Sequence, residues 1–187
     1  MRARTRSLLA DTRGVSTLEF ALIFPILLMI YAGLLHLADL SMARNKVSRA
    51  ASTLAAGASL SPTLSDTRLA MLMAAAAAVL DPLKGEPQIV LTNVVTSDSG
   101  PSVAWSDAVH ASALQAGSTL PSAADALGAS GGESLVMAEI SLPYSSRFAR
   151  MWNALAFVPG SLTIITVLQD RAYAVPSPSA GRITREP

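Results

Sequence analysis

The chain has 187 residues, of which 51% are apolar and 14% charged, a balance that excludes a disordered or strongly hydrophilic polypeptide. Its formal charge is +1, so nothing overall draws it to nucleic acid, and the position of each basic residue says more than their sum. There is no cysteine; disulfide frameworks and thiolate ligands or nucleophiles are excluded, while the redox compartment stays open.

Residues 1–14 read as a polar leader, with Arg2, Arg4, Arg6 and Arg13 separated by Ser, Thr and Asp11. From Phe20 to Ala38 the side chains are almost wholly apolar. At about 1.5 Å per residue such a helix just spans a hydrocarbon core of about 30 Å, so residues 15–40 are read as a transmembrane helix. Four arginines precede the run, and Arg44, Lys46 and Arg49 follow it, which gives only a slight preference for a cytoplasmic N-terminus.

Residues 41–82 read as an extracytoplasmic helical region. Leu40, Ala43, Val47, Ala51, Leu54 and Ala58 recur at steps of three and four, so the first helix continues beyond the membrane with one apolar stripe. That stripe covers either the protein's own sheet or a partner. Gly57 and Ser61-Pro62 give a stop and a restart, and a second helix is expected over Pro62 to Leu80, ending at Asp81-Pro82. Its apolar stretch is too short to cross a bilayer.

Residues 83–175 shift toward strand formers and read as a small α+β domain. Pro87 to Ser97 is rich in β-branched residues, and "SVAWSDA" follows a turn as its hairpin partner. "SAADAL" reads as a short helix and "GASGGES" as a flexible connection. Ser134 to Ser145 and Ser161 to Val175 are two more strands, with "RFARMWNALAFVPG" between them as loop or short helix. Residues 176–187 have too little apolar surface to fold and are expected to fray. The fold class is therefore α+β: a long N-terminal helix, a second helix and a small, mostly antiparallel sheet.

Little in the chain suggests catalysis. His36 and His110 have no metal-ligand spacing, and His36 lies within the apolar run, where a satisfied or interfacial histidine is the ordinary reading. "GASGG" lacks the strand, helix and lysine of a phosphate-binding loop, and no nucleophile elbow is present. Glu133 and Glu139 can share a strand face, yet surface strand charges are commoner than an acid/base pair. Trp105 and Trp152 read as core or interface anchors, because no basic aromatic interleaving accompanies them. We expect no enzyme, no catalytic residue, no cofactor, no metal, no nucleic acid and no small-molecule substrate.

The junction "RGVSTLEF" carries the main signal. Glu19 stands at the edge of an apolar run, where an ionised carboxylate is costly. One reading puts Glu19 in the first turn of a helix, where its charge favours the dipole. The other has the Gly14-Val15 bond cut, which creates an α-ammonium on Val15 one turn below Glu19. Pro25 removes a backbone donor and clashes with the Ala21 carbonyl, so it should kink the span. Such a kink either helps subunits pack or has no role.

Gly14, Glu19 at the fifth position after it, the aromatic Phe20 and the helix behind them resemble the TadE-like and TadF-like minor pseudopilins of tight-adherence (Tad/Flp) pilus systems. The likeness is strongest from Arg13 to Ala51. The resemblance implies that a prepilin peptidase cuts between Gly14 and Val15. It implies that Glu19 marks the substrate and neutralises the α-amino group of a neighbouring subunit, two charges that compensate when dehydrated together. Phe20 stands where the major pilins of these systems favour tyrosine, which fits a minor component. The protein implied is a single-pass protein of the bacterial inner membrane, with a cytoplasmic N-terminus and a periplasmic C-terminal domain. It would help to assemble the pilus by packing against other pilins, pseudopilins and Tad assembly components.

Two rivals stand beside this reading. Ser41 to Ala43 offers small residues to a signal peptidase after a basic region and an apolar core, which would make the chain an ordinary exported protein. The second is a permanently anchored periplasmic binding or structural module unrelated to pili.

Overall fold

The structure is a computed structural model and describes residues 13–97, 100–130, 134–145, 166–176 and 183–185. Helix α1 runs from Arg13 to Ser59 and is unbroken across Pro25. The chain divides into two compact units, Met1–Leu40 with Ser146–Ile164 and Ser41–Ser145 with Ile165–Pro187. The first unit is described only over the helix of residues 13–40.

In the second unit, Ala43, Val47, Ala50, Ala51, Leu54, Ala55 and Ala58 are all buried. The apolar stripe is thus buried within its own unit, with Gly57 beside it close to the next helix. Its small residues allow close helix contact: a Cβ added at Gly57 would lie 2.9 Å from Leu72 Cδ2 on the next helix. That helix, α2, spans Asp66–Leu80 and buries Leu69, Met73, Ala76 and Leu80. It starts four residues later than the sequence suggests. Thr63–Leu64 form a short strand, β1, with Leu64 buried. Ser65, not Ser61, is the N-cap, its Oγ accepting from the Arg68 N–H at 3.4 Å. At the other end the Asp81 N–H donates to the Ala78 carbonyl at 3.2 Å, and the helix stops before Pro82 as expected.

Strands β2 (Gln88–Ser97), β3 (Gly100–Val109), β4 (Ser134–Tyr144) and β5 (Thr166–Ala174) form one antiparallel sheet in the order β3-β2-β4-β5. The architecture is the expected α+β one. Cross-strand pairs Ile89↔Ile140, Leu91↔Ala138 and Leu142↔Leu168 place buried apolar residues on one face, which the buried polar Asn93, paired with Val136, shares. On the other face Val94, Leu135 and Met137 cluster with Ala123 and Leu127. These last two come from a 3-10 turn, Pro121–Ala123, and the short helix α3, Ala124–Ser130. Gly128 to Ser130, expected as part of a flexible connection, are helical; residues 131–133 lie outside the described residues.

The expectation of a frayed tail is corrected at residues 183–185. Ile183 is buried, and Thr184–Arg185 form β6, parallel to β1 through Thr63↔Thr184 and Leu64↔Arg185. Burying one isoleucine is worth about 2 kcal/mol, and the backbone here finds partners as well. The Thr184 N–H donates to the Pro62 carbonyl at 3.0 Å. The Ile183 carbonyl accepts from Asn93 Nδ2 at 3.0 Å and from Trp105 Nε1 at 3.2 Å. A segment poor in apolar residues is therefore held by one anchor and by polar groups that the sheet supplies. The "RFARMWNALAFVPG" segment with Trp152, and the first residues of the strand expected from Ser161, lie outside the described residues.

Candidate assembly helix

Gly14 and Val15 lie in the first turn of α1, which begins at Arg13. Glu19 is exposed, four residues beyond Val15 and hence about one turn, or 6 Å, along the axis. No acidic residue occupies the first turn. The dipole reading of Glu19 is weakened accordingly, since that interaction fades beyond the first turn. Phe20 stacks on Phe24 with ring centroids 5.5 Å apart and planes inclined by 33°, as i, i+4 aromatics on one helix face do.

Beyond Glu19 the helix presents apolar side chains on most of its circumference. Phe20, Leu22, Ile23, Phe24, Ile26, Leu27, Ile30, Tyr31, Leu34 and Leu37 are each 49–66% exposed. Such a surface is costly in water and at home in hydrocarbon or against other apolar helices. Among the described residues α1 is the one helix long and apolar enough to cross a membrane. Pro25 lies within this stretch, where its ring denies the Ala21 carbonyl an amide donor. Ala32 and Asp39 are buried, and a buried His36 Nδ1 has no hydrogen-bond partner.

The other polar residues considered from the sequence have structural partners. His110 adopts a left-handed backbone (φ 56°), and its Nδ1 lies 3.2 Å from the Pro87 carbonyl. Glu139 accepts from Arg171 Nη2 at 2.8 Å and from Nε at 3.1 Å, and it also accepts from Gln169 Nε2. Burial lowers the Arg171 pKa, but hydrogen bonds with Tyr173 and Glu139 more than offset it and the net shift is upward. Glu133 lies outside the described residues. Trp105 anchors the Ile183 carbonyl. Among the described residues no three His, Asp or Glu side chains are grouped as metal ligands would be.

Two arrangements escaped the sequence reading. Asn93 is fully buried and holds both Ile183 and the Ser134 hydroxyl, which donates to its Oδ1 at 2.8 Å. Arg185 Nη2 sits 3.1 Å from Asp66 Oδ1 and 3.1 Å from Asp107 Oδ2. These partners are 119 and 78 residues away in sequence, a separation that no local pattern reveals.

The class is that of a protein with one long N-terminal helix, apolar and long enough in its first half to cross a membrane, followed by a small α+β unit. Comparison with known families narrows this, for residues 14–56 match the family model of TadE-like proteins. The match begins at Gly14 and bears out the TadE-like resemblance seen in the "RGVSTLEF" motif. No curated protein and no solved structure gives a significant match to the chain.

Proposed function

We propose that this protein is a minor pseudopilin-like subunit that takes part in assembling a tight-adherence pilus. It acts by non-covalent packing in and beside the inner membrane, not by catalysis. The observation that carries the reading is the coincidence of the TadE-like match, starting at Gly14, with a helix that leaves apolar side chains exposed from Phe20 to Leu37. In this reading a prepilin peptidase cuts between Gly14 and Val15, the N-terminus begins in the cytoplasm and the α+β domain is periplasmic. Glu19 then offers a carboxylate at the membrane edge to the new ammonium of a neighbouring subunit, a pairing that offsets the desolvation cost of both charges.

The helix also bears on the exported-protein rival. α1 is continuous through Ser41 to Ala43, and Ala43 is buried in its stripe. A signal peptidase cut before Arg44 would have to open a helix that is unbroken there and would remove the buried Ala43.

The test is complementation of a deletion strain with the native chain and with Glu19→Ala. Native chain restores pili, and Glu19→Ala is expected to restore none despite normal membrane levels. Full piliation and normal processing with Glu19→Ala would refute the pairing role, and normal piliation in the deletion strain would refute the assembly role.

A further inference from the structure

The segment Ile183-Thr184-Arg185 alternates an aliphatic side chain, a hydroxyl and a cation. In extended backbone Ile183 and Arg185 therefore point to one side and Thr184 to the other. The surroundings follow this period: Ile183 is buried, Thr184 is exposed, and the Arg185 guanidinium reaches Asp66 and Asp107. The backbone is held as well. The Ile183 carbonyl accepts from Asn93 Nδ2 and Trp105 Nε1, and the Thr184 N–H donates to the Pro62 carbonyl. The groove thus fits an extended segment with a branched aliphatic residue and an arginine two positions on, added as a strand beside β1. These partners lie at residues 62–107, on elements other than the strand β5 that leads into the tail, and groove and tail both belong to the second unit.

The tail is held by few contacts. Its ladder with β1 has two residue pairs, Ile183 is its buried anchor, and the Arg185 ion pairs stand partly in solvent. Such a segment opens at less cost than the sheet beneath it. Ala174 pairs with Val136, and Val136 with Asn93, so the end of β5 lies two strand spacings, about 10 Å, from the groove. The chain advances nine residues from Ala174 to Ile183, a reach of about 30 Å when extended. That length does not confine the tail to its own groove. An emptied groove leaves the Asn93 amide and the Trp105 N–H without their acceptor, and the segment that satisfies both is present on every copy of the chain.

We propose that this groove takes the C-terminal segment of a second copy of the chain, so that adjacent copies exchange tails. Exchange conserves every bond of a tail docked at home. The balance is then set by the concentration of neighbours against that of the tethered tail, which for a short tether is of about millimolar order. Copies held side by side exchange, and dilute copies keep their own tails. The inference is independent of the pilus reading, because neither groove nor tail includes the apolar run of α1.

The chain has no cysteine, and Thr63 and Thr184 are exposed register partners, so a disulfide between these positions reports where the tail sits. In one chain, T63C/T184C should close the bond within the molecule; free thiols there would show the tail undocked and overturn the inference at its premise. Full-length T63C and T184C chains are then mixed in concentrated detergent solution under a glutathione redox buffer. Their mixed dimer should exceed, by roughly tenfold or more, the one that T184C forms with A78C on the exposed side of α2. It should also grow with protein concentration. Ile183→Asp on the tail donor should return the yield to that of the A78C control. Where a fallen thermal midpoint shows that donor unfolded, Arg185→Asp, which sets a third carboxylate beside Asp66 and Asp107, is expected to lower the yield in its place. A mixed dimer no more abundant than the control, or one that neither tail substitution reduces, overturns the exchange.

Discussion

The side-chain amide of Asn93 donates to the main-chain carbonyl of Ile183 at 3.0 Å, across 90 residues of sequence. The same carbonyl accepts from Trp105, and the same asparagine accepts from Ser134. Removing either end should therefore cost more than one hydrogen bond. Asn93→Leu leaves the Ser134 hydroxyl and the Ile183 carbonyl short of a partner, a loss of about 1–3 kcal/mol. Ile183→Ala should cost about 2–4 kcal/mol through lost burial and a residual cavity. Chemical denaturation of the full chain in detergent checks both values, with Trp105→Phe expected to lose only about 1 kcal/mol.

The ion pairs of Arg185 should matter much less. Its side chain is 39% exposed, with Asp66 at 65% and Asp107 at 32%. Solvent screening at such exposure limits a pair to less than about 1 kcal/mol. Arg185→Gln is expected to lower the denaturation midpoint slightly at low salt and by a smaller amount at high salt.

Gly57 offers a packing test. Leu72 Cδ2 would stand 2.9 Å from an added Cβ, so Gly57→Ala sets a helix-propensity gain of about 1 kcal/mol against a small shift of one flexible side-chain end. A near-neutral change is expected. Gly57→Leu has no such escape and should destabilise the domain by about 1–3 kcal/mol. Thermal midpoints of the two variants against the native chain report the difference.

The exposed apolar face of α1 predicts a position-dependent membrane effect. Leu27 is 54% exposed within the run, and an arginine there costs about 2.5–3.5 kcal/mol of insertion. Leu27→Arg should shift a substantial fraction of the chain from the carbonate-resistant membrane pellet to the supernatant, whereas Leu27→Ile should not.

How much of this was legible depended on the range of the interaction. The apolar run, the stripe Ala43-Val47-Ala51-Leu54-Ala58 and the β-branched segment before Ser97 are local periodicities, and they located α1 and β2 to within a few residues. The start of α2 was misplaced because Ser61-Pro62 and Ser65-Asp66 are equally good initiation signals. What decides between them is the pairing of Thr63–Leu64 with residues 184–185. The tail is hidden for the same reason: one buried isoleucine, two donors and one acceptor from elsewhere hold a segment whose composition suggests disorder. Of the assembly helix, the order Gly14, Glu19, Phe20 and the apolar run was readable throughout. The Arg185 and Asn93 networks were not, because their partners meet only in the folded chain.

The account turns on whether Val15 becomes a free N-terminus, and the intact mass of the protein isolated from its own membranes decides it. Cleavage between Gly14 and Val15 predicts a chain beginning at Val15 that Gly14→Leu blocks. A mass corresponding to the uncut chain, or to one beginning at Arg44, would contradict the proposal.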